Sequence, residues 1–129
     1  MFFAIDPSNG LAIYDQIVRQ IKFAVAGGVL RSGDFVPSVR ELARDLTINP
    51  NTVARAYQQL QADRVLAPGR GTGLVVTAGA ERRCRSERVK LIRARLRQVL
   101  VEARQSRLDE GEIRALWEKE CAAGQREEV

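Results

Sequence analysis

Residues 37–76 read PSVRELARDLTINPNTVARAYQQLQADRVLAPGRGTGLVV, and this stretch decides the fold. Ser38 stands three residues before Glu41, which is the spacing of a capping box, where the serine oxygen accepts a backbone N–H of the first turn. Apolar residues then recur at helical spacing as far as Leu46. We therefore expect a helix that begins after Ser38 and ends near Leu46.

A second helix follows after a turn at Thr47 and Ile48. Asn49 is a good N-cap, and Pro50 suits the first helical position because its missing N–H would have no partner there. The apolar face of this helix consists of Val53, Ala56, Tyr57 and Leu60. Two short helices joined so tightly are typical of the unit that places its second helix in a DNA major groove.

Two short β-rich runs, at residues 65–67 and 74–76, come next, and PGRGTG separates them. Glycines allow the tip of such a hairpin to approach a phosphate backbone closely, and Arg70 could then reach the backbone or the minor groove. The alternative for Arg70 and Gly71 is a plain turn. The tip is not a nucleotide-binding loop, since it lacks GK[ST] and no helix start follows it.

PSVRELA, then TVARAYQQL, then a glycine-rich hairpin occur in this order and resemble the winged helix-turn-helix of GntR-type bacterial transcription regulators. The NPNTV variant and the short chain resemble the YtrA-like subfamily. The resemblance is strong over residues 10–77 and general beyond them. The family usually has proline at the position of Ala12 and glycine at that of Arg64, so we expect a changed helix start and an uncertain end of the second helix.

Donors and acceptors near the start of the second helix are what major-groove recognition needs, and Asn51, Thr52 and Arg55 lie there if Val53 and Tyr57 point into the core. The family resemblance implies DNA contacts from the arginine of PSxR, from the threonine and arginine of TVxRA, and from a wing glycine. The expected DNA-binding residues are Arg40, Asn51, Thr52, Arg55, Arg70 and Gly71. Arg44 is ambiguous, and we expect it on a solvated face.

The stretch before residue 37 predicts a helix over residues 13–26, ended by Gly27 and Gly28. Its apolar stripe consists of Ile13, Ile17, Ile21, Ala24 and Val25, whereas Tyr14, Gln16, Arg19, Gln20 and Lys22 lie mostly off the stripe. A loop over residues 29–36 then leads into the first helix of the pair. We expect Leu30 and Val36 to anchor this loop to the core.

Beyond the hairpin, the pattern predicts a long charged helix over residues 81–107 and a last helix capped by Asp109. Apolar residues of the long helix step by 3, 4, 3 and 4, which is typical of a seam against a partner helix. Two helices of this size cannot enclose a core alone, so they pack on the first domain, on a second copy, or on both. The expected dimerisation residues are Val89, Ile92, Leu96, Val99, Leu100, Ala103 and Trp117.

The predicted fold class is mainly α with a small β-wing. A winged helix-turn-helix domain over residues 1–78 is followed by a helical dimerisation region, a hairpin, over residues 79–129. One recognition helix reads only a few base pairs, so we expect a homodimer on a palindromic operator, acting as a sequence-specific repressor. The family resemblance implies a neighbouring transporter operon as the target. The alternative is a winged-helix module for protein–protein assembly without specific DNA binding.

Composition narrows the remaining possibilities. The net charge of +5 and the pI near 9.9 favour a polyanion such as double-stranded DNA as partner. The chain has no histidine, no nucleophile motif and no clustered carboxylates in a plausible pocket, so we expect neither an enzyme nor a metal site nor a cofactor. A small-molecule effector stays open: the chain has no large effector domain, yet a ligand could bind between subunits.

Cys84 and Cys121 are expected to be ordinary thiols, with a redox pair or an intersubunit disulfide as the alternatives. The first ten residues lack the basic start of a signal peptide and include Asp6. No apolar run approaches the roughly 20 residues that a membrane span needs. We therefore expect a cytoplasmic protein without membrane association.

Overall fold

The computed structural model describes residues 4–128, and it describes side chains as far as Gln125. In chain order the elements are α1 (Ile13–Ala26), α2 (Val39–Leu46), α3 (Pro50–Ala62), β1 (Leu66–Pro68), β2 (Leu74–Val76), α4 (Ala80–Gln105) and α5 (Glu110–Glu128). The predicted fold class, mainly α with a small β-wing, is confirmed. The apolar residues 2–5 predict a strand or an arm that packs against the domain; Phe2 and Phe3 lie outside the described residues, whereas Ile5 packs against the core.

The chain divides into two compact units, Met1–Val89 and Lys90–Val129. The first unit includes the start of α4, because Ala80 and Cys84 are fully buried in its core. The remainder of α4 and α5 form the second unit. The functional boundary after residue 78 stays a prediction.

The core of the first unit forms where α1 and α2 pack against α3. The predicted apolar face of α3 is confirmed, since its four residues are at most 3% exposed. Leu42 and Ala43 of α2 are buried, and Leu30 and Val36 anchor the preceding loop as expected. Each leucine or valine side chain contributes about 1.5–3 kcal/mol when it is fully buried. The burial of one whole side of α3 therefore determines which side faces outward.

The prediction for α1 was correct in its bounds and partly wrong in its faces. Ile13 is 37% exposed, although it was assigned to the apolar stripe. Gln16 and Lys22 are buried, although the pattern places them mostly off the stripe. The Gln16 amide donates to the carbonyls of Asp6 and Leu11 and accepts the Asp6 N–H, while Lys22 meets two carboxylates. Buried polar groups need such partners, and helical periodicity cannot reveal them.

Both predicted helix caps of the helix pair are present. Ser38 Oγ accepts a hydrogen bond from the Glu41 N–H at 3.1 Å, and Asn49 Oδ1 accepts one from the Asn51 N–H at 2.8 Å. Thr47 ends α2 in the left-handed conformation, with φ of 54°. The chain thus reverses between the helices within three residues, as the sequence predicted.

Arg64 occupies the position after the end of α3 where glycine was expected, and its φ is +60°. A side chain in this conformation carries strain that glycine avoids. The carbonyl of Arg64 accepts hydrogen bonds from Thr77 Oγ1 at 2.6 Å and from Arg83 Nη2. These two donors hold the strained peptide in place and connect it to the start of α4.

The wing is an antiparallel pair in which Leu66 lies opposite Val76. Phe35, from the loop before α2, forms a bridge with Val75 and so extends the sheet. A Cβ at Gly69 would lie 2.8 Å from the Val75 side chain and 2.9 Å from that of Phe35. Glycine at this position leaves room for the Phe35 ring beside the start of the wing loop.

The second unit consists of the remainder of α4 and of α5, joined by a short turn; the predicted helical region begins earlier, at residue 79. α4 ends at Gln105 and not at residue 107, because Arg107 adopts a left-handed conformation with φ of 69°. The predicted cap of α5 is confirmed: Asp109 Oδ1 accepts the Glu112 N–H at 2.8 Å, and Glu112 Oε1 accepts the Asp109 N–H at 3.2 Å. Within residues 4–128, no helix combines the length and the apolar character that crossing a membrane requires.

Candidate nucleic-acid interface

The orientation of α3 is the basis of the candidate interface. The buried Tyr57 hydroxyl donates to the Pro37 carbonyl at 2.6 Å, which connects α3 to the chain just before α2. Burial, with a smaller contribution from the charge of Glu41, raises the pKa of Tyr57 above its ordinary value. The phenol therefore stays neutral and remains a donor, so α3 cannot rotate about its axis without losing this hydrogen bond.

The opposite side of α3 presents polar groups at the start of the helix. Asn51 and Arg55 are exposed and Thr52 is half-buried. The three residues line one shallow depression together with Ile13 and Tyr14 of α1. The Arg55 Cζ lies 3.8 Å from the centroid of the Tyr14 ring, so the guanidinium lies over the aromatic face. The predicted readers on α3 are thus brought together on one surface.

Arg40 lies in the first turn of α2 and is exposed. It lines a second shallow depression with Ala43, Arg44, Ile48 and Pro50. Arg44 is exposed, as expected, but it shares this depression with Arg40 and is not isolated from the site. Two guanidinium groups beside the first residue of α3 can neutralise phosphates of a bound nucleic acid.

Arg70 and Gly71 lie at the tip of the wing, both exposed, and they line neither of the two depressions. Gly71 has φ of +76°, and a Cβ built there would meet no atom within 4 Å. The surroundings of Gly71 therefore leave room for a partner to approach its backbone. The positive φ is the physical reason for glycine at this position.

Tyr14 is the site residue that the sequence reasoning missed. It was placed off the apolar stripe of α1 and received no role. In the structure it is half-buried, packs against the core and contacts Arg55, a residue of another helix. In the sequence, its only sign is an aromatic residue in the first turn of α1. The contact with Arg55 depends on the packing of α1 on α3, which the sequence pattern does not predict.

The second unit carries a separate apolar groove of about 450 Å³. Of the expected dimerisation residues, the structure brings together Leu96, Val99, Leu100, Ala103 and Trp117, with Ile113 and Leu116 beside them. Trp117 is 57% exposed and Val99 is 59% exposed, so neither is a core residue within the described chain. Val89 and Ile92 are exposed earlier on α4 and do not line the groove.

The two cysteines differ in environment. Cys84 is buried and Cys121 is exposed, and both are free thiols. Burial raises the pKa of the Cys84 thiol, which lowers its reactivity. Among residues 4–128, no three histidine, cysteine or acidic side chains form a group that could hold a metal ion.

Comparison with known proteins identifies the family. The profile of the bacterial regulatory proteins of the gntR family matches residues 13–76. The HTH-type transcriptional repressor YtrA of Bacillus subtilis strain 168 is 33% identical over 119 residues, which are 92% of this chain and 91% of that protein.

Solved structures agree with this match. A GntR family transcriptional regulator from Listeria monocytogenes superposes with a TM-score of 0.66 at 32% identity, over 89% of this chain and 98% of its own. YtrA from Sulfolobus acidocaldarius, a GntR-family transcription factor, superposes with a TM-score of 0.57 at 28% identity, over 94% and 97%. The chain therefore belongs to the GntR family of DNA-binding bacterial transcription regulators, which are not enzymes.

Proposed function

We propose that this protein is a repressor that binds a palindromic operator as a homodimer, with α3 of each protomer as the recognition helix. The single observation that carries the proposal is the polar surface at the start of α3. Asn51, Thr52 and Arg55 share this surface, while the other side of the helix is buried. A helix held in this way presents the same groups to every duplex it meets, which sequence recognition requires.

Each of the three residues on α3 has a chemical role in the proposal. The planar guanidinium of Arg55 can donate two parallel hydrogen bonds to O6 and N7 of a guanine. The Asn51 amide can pair in the same two-point manner with N6 and N7 of an adenine. Thr52 can contact a thymine methyl group or donate to a phosphate through its hydroxyl.

Arg40, Arg70 and Gly71 are proposed to bind the DNA outside the recognised bases. Arg40 would contact a phosphate next to α3, since it lies beside Pro50. Arg70 would reach the flanking backbone or minor groove from the wing tip, where Gly71 leaves room for close approach. Such contacts position the protein on the duplex and make affinity depend on salt.

Dimerisation is proposed to occur through the apolar groove of the second unit. Leu96, Val99 and Ala103 of the groove belong to the 3-and-4 seam, as do the exposed Val89 and Ile92. Exposed apolar patches of this kind mark interfaces. A two-fold dimer would carry two copies of α3, one for each half of a palindrome. Residues 1–78 would then recognise DNA and residues 79–129 would pair the protomers.

Selection of bound duplexes from a random pool tests the whole proposal. We expect an enriched palindrome whose half-sites are spaced by about one helical turn or a multiple of it. The affinity for the enriched duplex should fall steeply as salt rises, because several phosphates are neutralised. A pool without enrichment would favour the protein-assembly alternative instead.

Arg55→Ala tests the recognition helix. Gel-shift titration on the enriched duplex should show a loss of about 1–3 kcal/mol, the scale of one good base contact, and weaker discrimination at one base position. Arg93→Ala is the matched control, since it removes an exposed arginine from α4 outside both depressions. Unchanged affinity and selectivity in Arg55→Ala would show that α3 does not read the DNA in this way.

Leu96→Glu tests the interface, because it introduces a charge into the apolar groove. Sedimentation should show a dimer for the unchanged chain and a monomer for Leu96→Glu. Gln98→Glu, which adds the same charge at an exposed position of α4 that does not line the groove, should stay dimeric. A monomeric unchanged chain at concentrations that saturate the operator would contradict the dimer.

Repression as the outcome is supported by the name of the Bacillus subtilis relative, a transcriptional repressor. The resemblance to YtrA-like regulators suggests a transporter operon as the target. Membership of a DNA-binding family supports the cytoplasm as the location. Mapping of bound chromosomal sites in cells of the source organism would test the target. We expect bound sites that overlap promoters, and we expect the genes behind those promoters to rise in expression when the gene for this protein is deleted. Bound sites outside promoters would contradict repression by promoter occupancy.

A further inference from the structure

We propose that Tyr14 is a positioning residue for sequence recognition: its ring holds the Arg55 guanidinium in the orientation in which it meets a base. This inference rests on the proposed function, because it needs Arg55 as a reader. The observation behind it is a cation–π contact, in which the Arg55 Cζ lies over the Tyr14 ring at 3.8 Å from its centroid. The two residues come from different helices, α1 and α3, so the contact is tertiary.

The ring can position Arg55 because it is itself held. Tyr14 lies in the first turn of α1, is half-buried and packs against the core. Its helix packs directly on α3. An aromatic side chain has few rotatable bonds, so a partly buried ring is a rigid platform for a flexible arginine.

The cation–π contact leaves the hydrogen-bond donors of Arg55 available. The attraction between a cation and a ring face uses the charge of the guanidinium and none of its N–H donors, which form a fixed fork. Among the residues that the structure describes, no carboxylate forms an ion pair with Arg55, and the neighbouring Asp15 is engaged by Arg19 at 3.3 Å. The fork is therefore free to make the two-point contact that distinguishes guanine from other bases.

Pre-orientation matters because an exposed arginine is flexible. A free side chain must lose its rotamer freedom at the moment of binding, and that loss weakens the contact. The cation–π contact restricts the side chain before DNA arrives. The benefit should appear at the base that Arg55 reads and should be small for a duplex that lacks this base.

The test uses the full-length protein and the duplex enriched from the random pool. Tyr14→Leu keeps apolar volume against the core but removes the aromatic face. We expect its affinity for the enriched duplex to fall about 2- to 5-fold, the range of an exposed cation–π contact. On a duplex in which the base pair read by Arg55 is replaced, the unchanged chain and Tyr14→Leu should bind with nearly equal affinity. Tyr14→Phe, which keeps the ring, should restore both affinity and discrimination.

A double-mutant cycle separates positioning from a purely structural role. In the Arg55→Ala background, Tyr14→Leu should change affinity by less than about 2-fold, because there is no guanidinium left to position. A structural role would instead reduce affinity equally in both backgrounds, and that result would overturn the inference. Thermal unfolding of each variant shows how much stability the leucine costs.

A measurement without DNA checks the contact itself. The Arg55 Nε–H proton should show an upfield ring-current shift in the NMR spectrum, which Tyr14→Phe keeps and Tyr14→Leu removes. An unchanged resonance in Tyr14→Leu would overturn the inference. The results distinguish failure of the two proposals. If Arg55→Ala does not change DNA binding, Arg55 is not a reader and the proposed function fails at this residue. If Arg55→Ala weakens binding but shows no coupling to Tyr14, only the positioning role of Tyr14 is wrong.

Discussion

Replacement of Lys22 by methionine should destabilise the first unit by about 2 kcal/mol, because Lys22 is the cation between two carboxylates. Its Nζ lies 2.7 Å from Asp63 Oδ2 and 2.7 Å from Glu87 Oε1. The lysine belongs to α1, Asp63 caps the end of α3, and Glu87 lies near the start of α4. The loss would thus act on the attachment of α3 to both α1 and α4.

The magnitude follows from the burial of the three groups. Loss of one partner of a fully buried ion pair costs about 3–5 kcal/mol, since the other charge is left buried without compensation. Here the Lys22 side chain is 4% exposed, but those of Asp63 and Glu87 are 29% and 38% exposed. Water can partly solvate the two carboxylates in the variant, so we expect a loss of about 2 kcal/mol, which is below the range for a fully buried pair. For a unit of this size the midpoint of thermal unfolding should fall by about 8–16 °C.

The contribution of Lys22 should also depend on pH in one direction. Burial disfavours the charged ammonium, but hydrogen bonds and charges of Asp63 and Glu87 outweigh burial and raise the pKa of Lys22 above its ordinary value of 10.5. A raised pKa in the folded state means that the stabilisation is complete below pH 10.5 and is lost as pH rises through the raised pKa. The difference between the unchanged chain and Lys22→Met should therefore be constant on the neutral side and shrink in strong alkali.

Urea unfolding at one protomer concentration measures the effect, since dimerisation would make stability depend on concentration. Lys90→Met removes an exposed lysine from α4 and should change stability by less than about 0.5 kcal/mol. The triple variant with Asp63→Asn and Glu87→Gln should recover part of the loss, because it removes the uncompensated charges. If Lys22→Met is as stable as Lys90→Met, the three charges do not hold the helices together and the reasoning is wrong.

Three further substitutions are tested in the same way. Ser38→Ala should lower the free energy of unfolding by about 1 kcal/mol, because it removes the α2 cap. Ser86→Ala, at an exposed position inside α4, should change it by less than about 0.5 kcal/mol. Equal losses in the two variants would contradict the role of Ser38 as a cap. Arg64→Gly should raise stability by about 0.5–1 kcal/mol because φ is +60°, and a loss of stability would show that no strain is relieved. A maleimide should label the exposed Cys121 in the native protein but the buried Cys84 only after urea unfolding. Mass spectrometry of the labelled protein identifies the modified cysteine. Rapid labelling of Cys84 in the native protein would show that its site opens.

Local signals in the sequence determined most of the fold. Ser38, Asn49 and Asp109 each accept a backbone N–H of the first helical turn, and a cap acts over a few residues, so spacing alone predicts it. The buried face of α3 followed from periodicity for the same reason, and the order of the motifs along the chain was enough to indicate the family. The placement of Arg55 on the exposed side of α3 was a consequence of that burial.

Contacts between distant residues were decided only by the tertiary structure. Periodicity placed Lys22 on the outer side of α1, yet it is buried, because Asp63 and Glu87 come to it from 41 and 65 residues away. The pattern places Tyr14 off the apolar stripe of α1, yet its ring contacts Arg55 of α3. Residues close to Tyr14 in sequence cannot predict this contact. A sequence pattern records which side of a helix is apolar, whereas ion pairs and cation–π contacts depend on how separate helices pack, and that packing exists only in the folded chain.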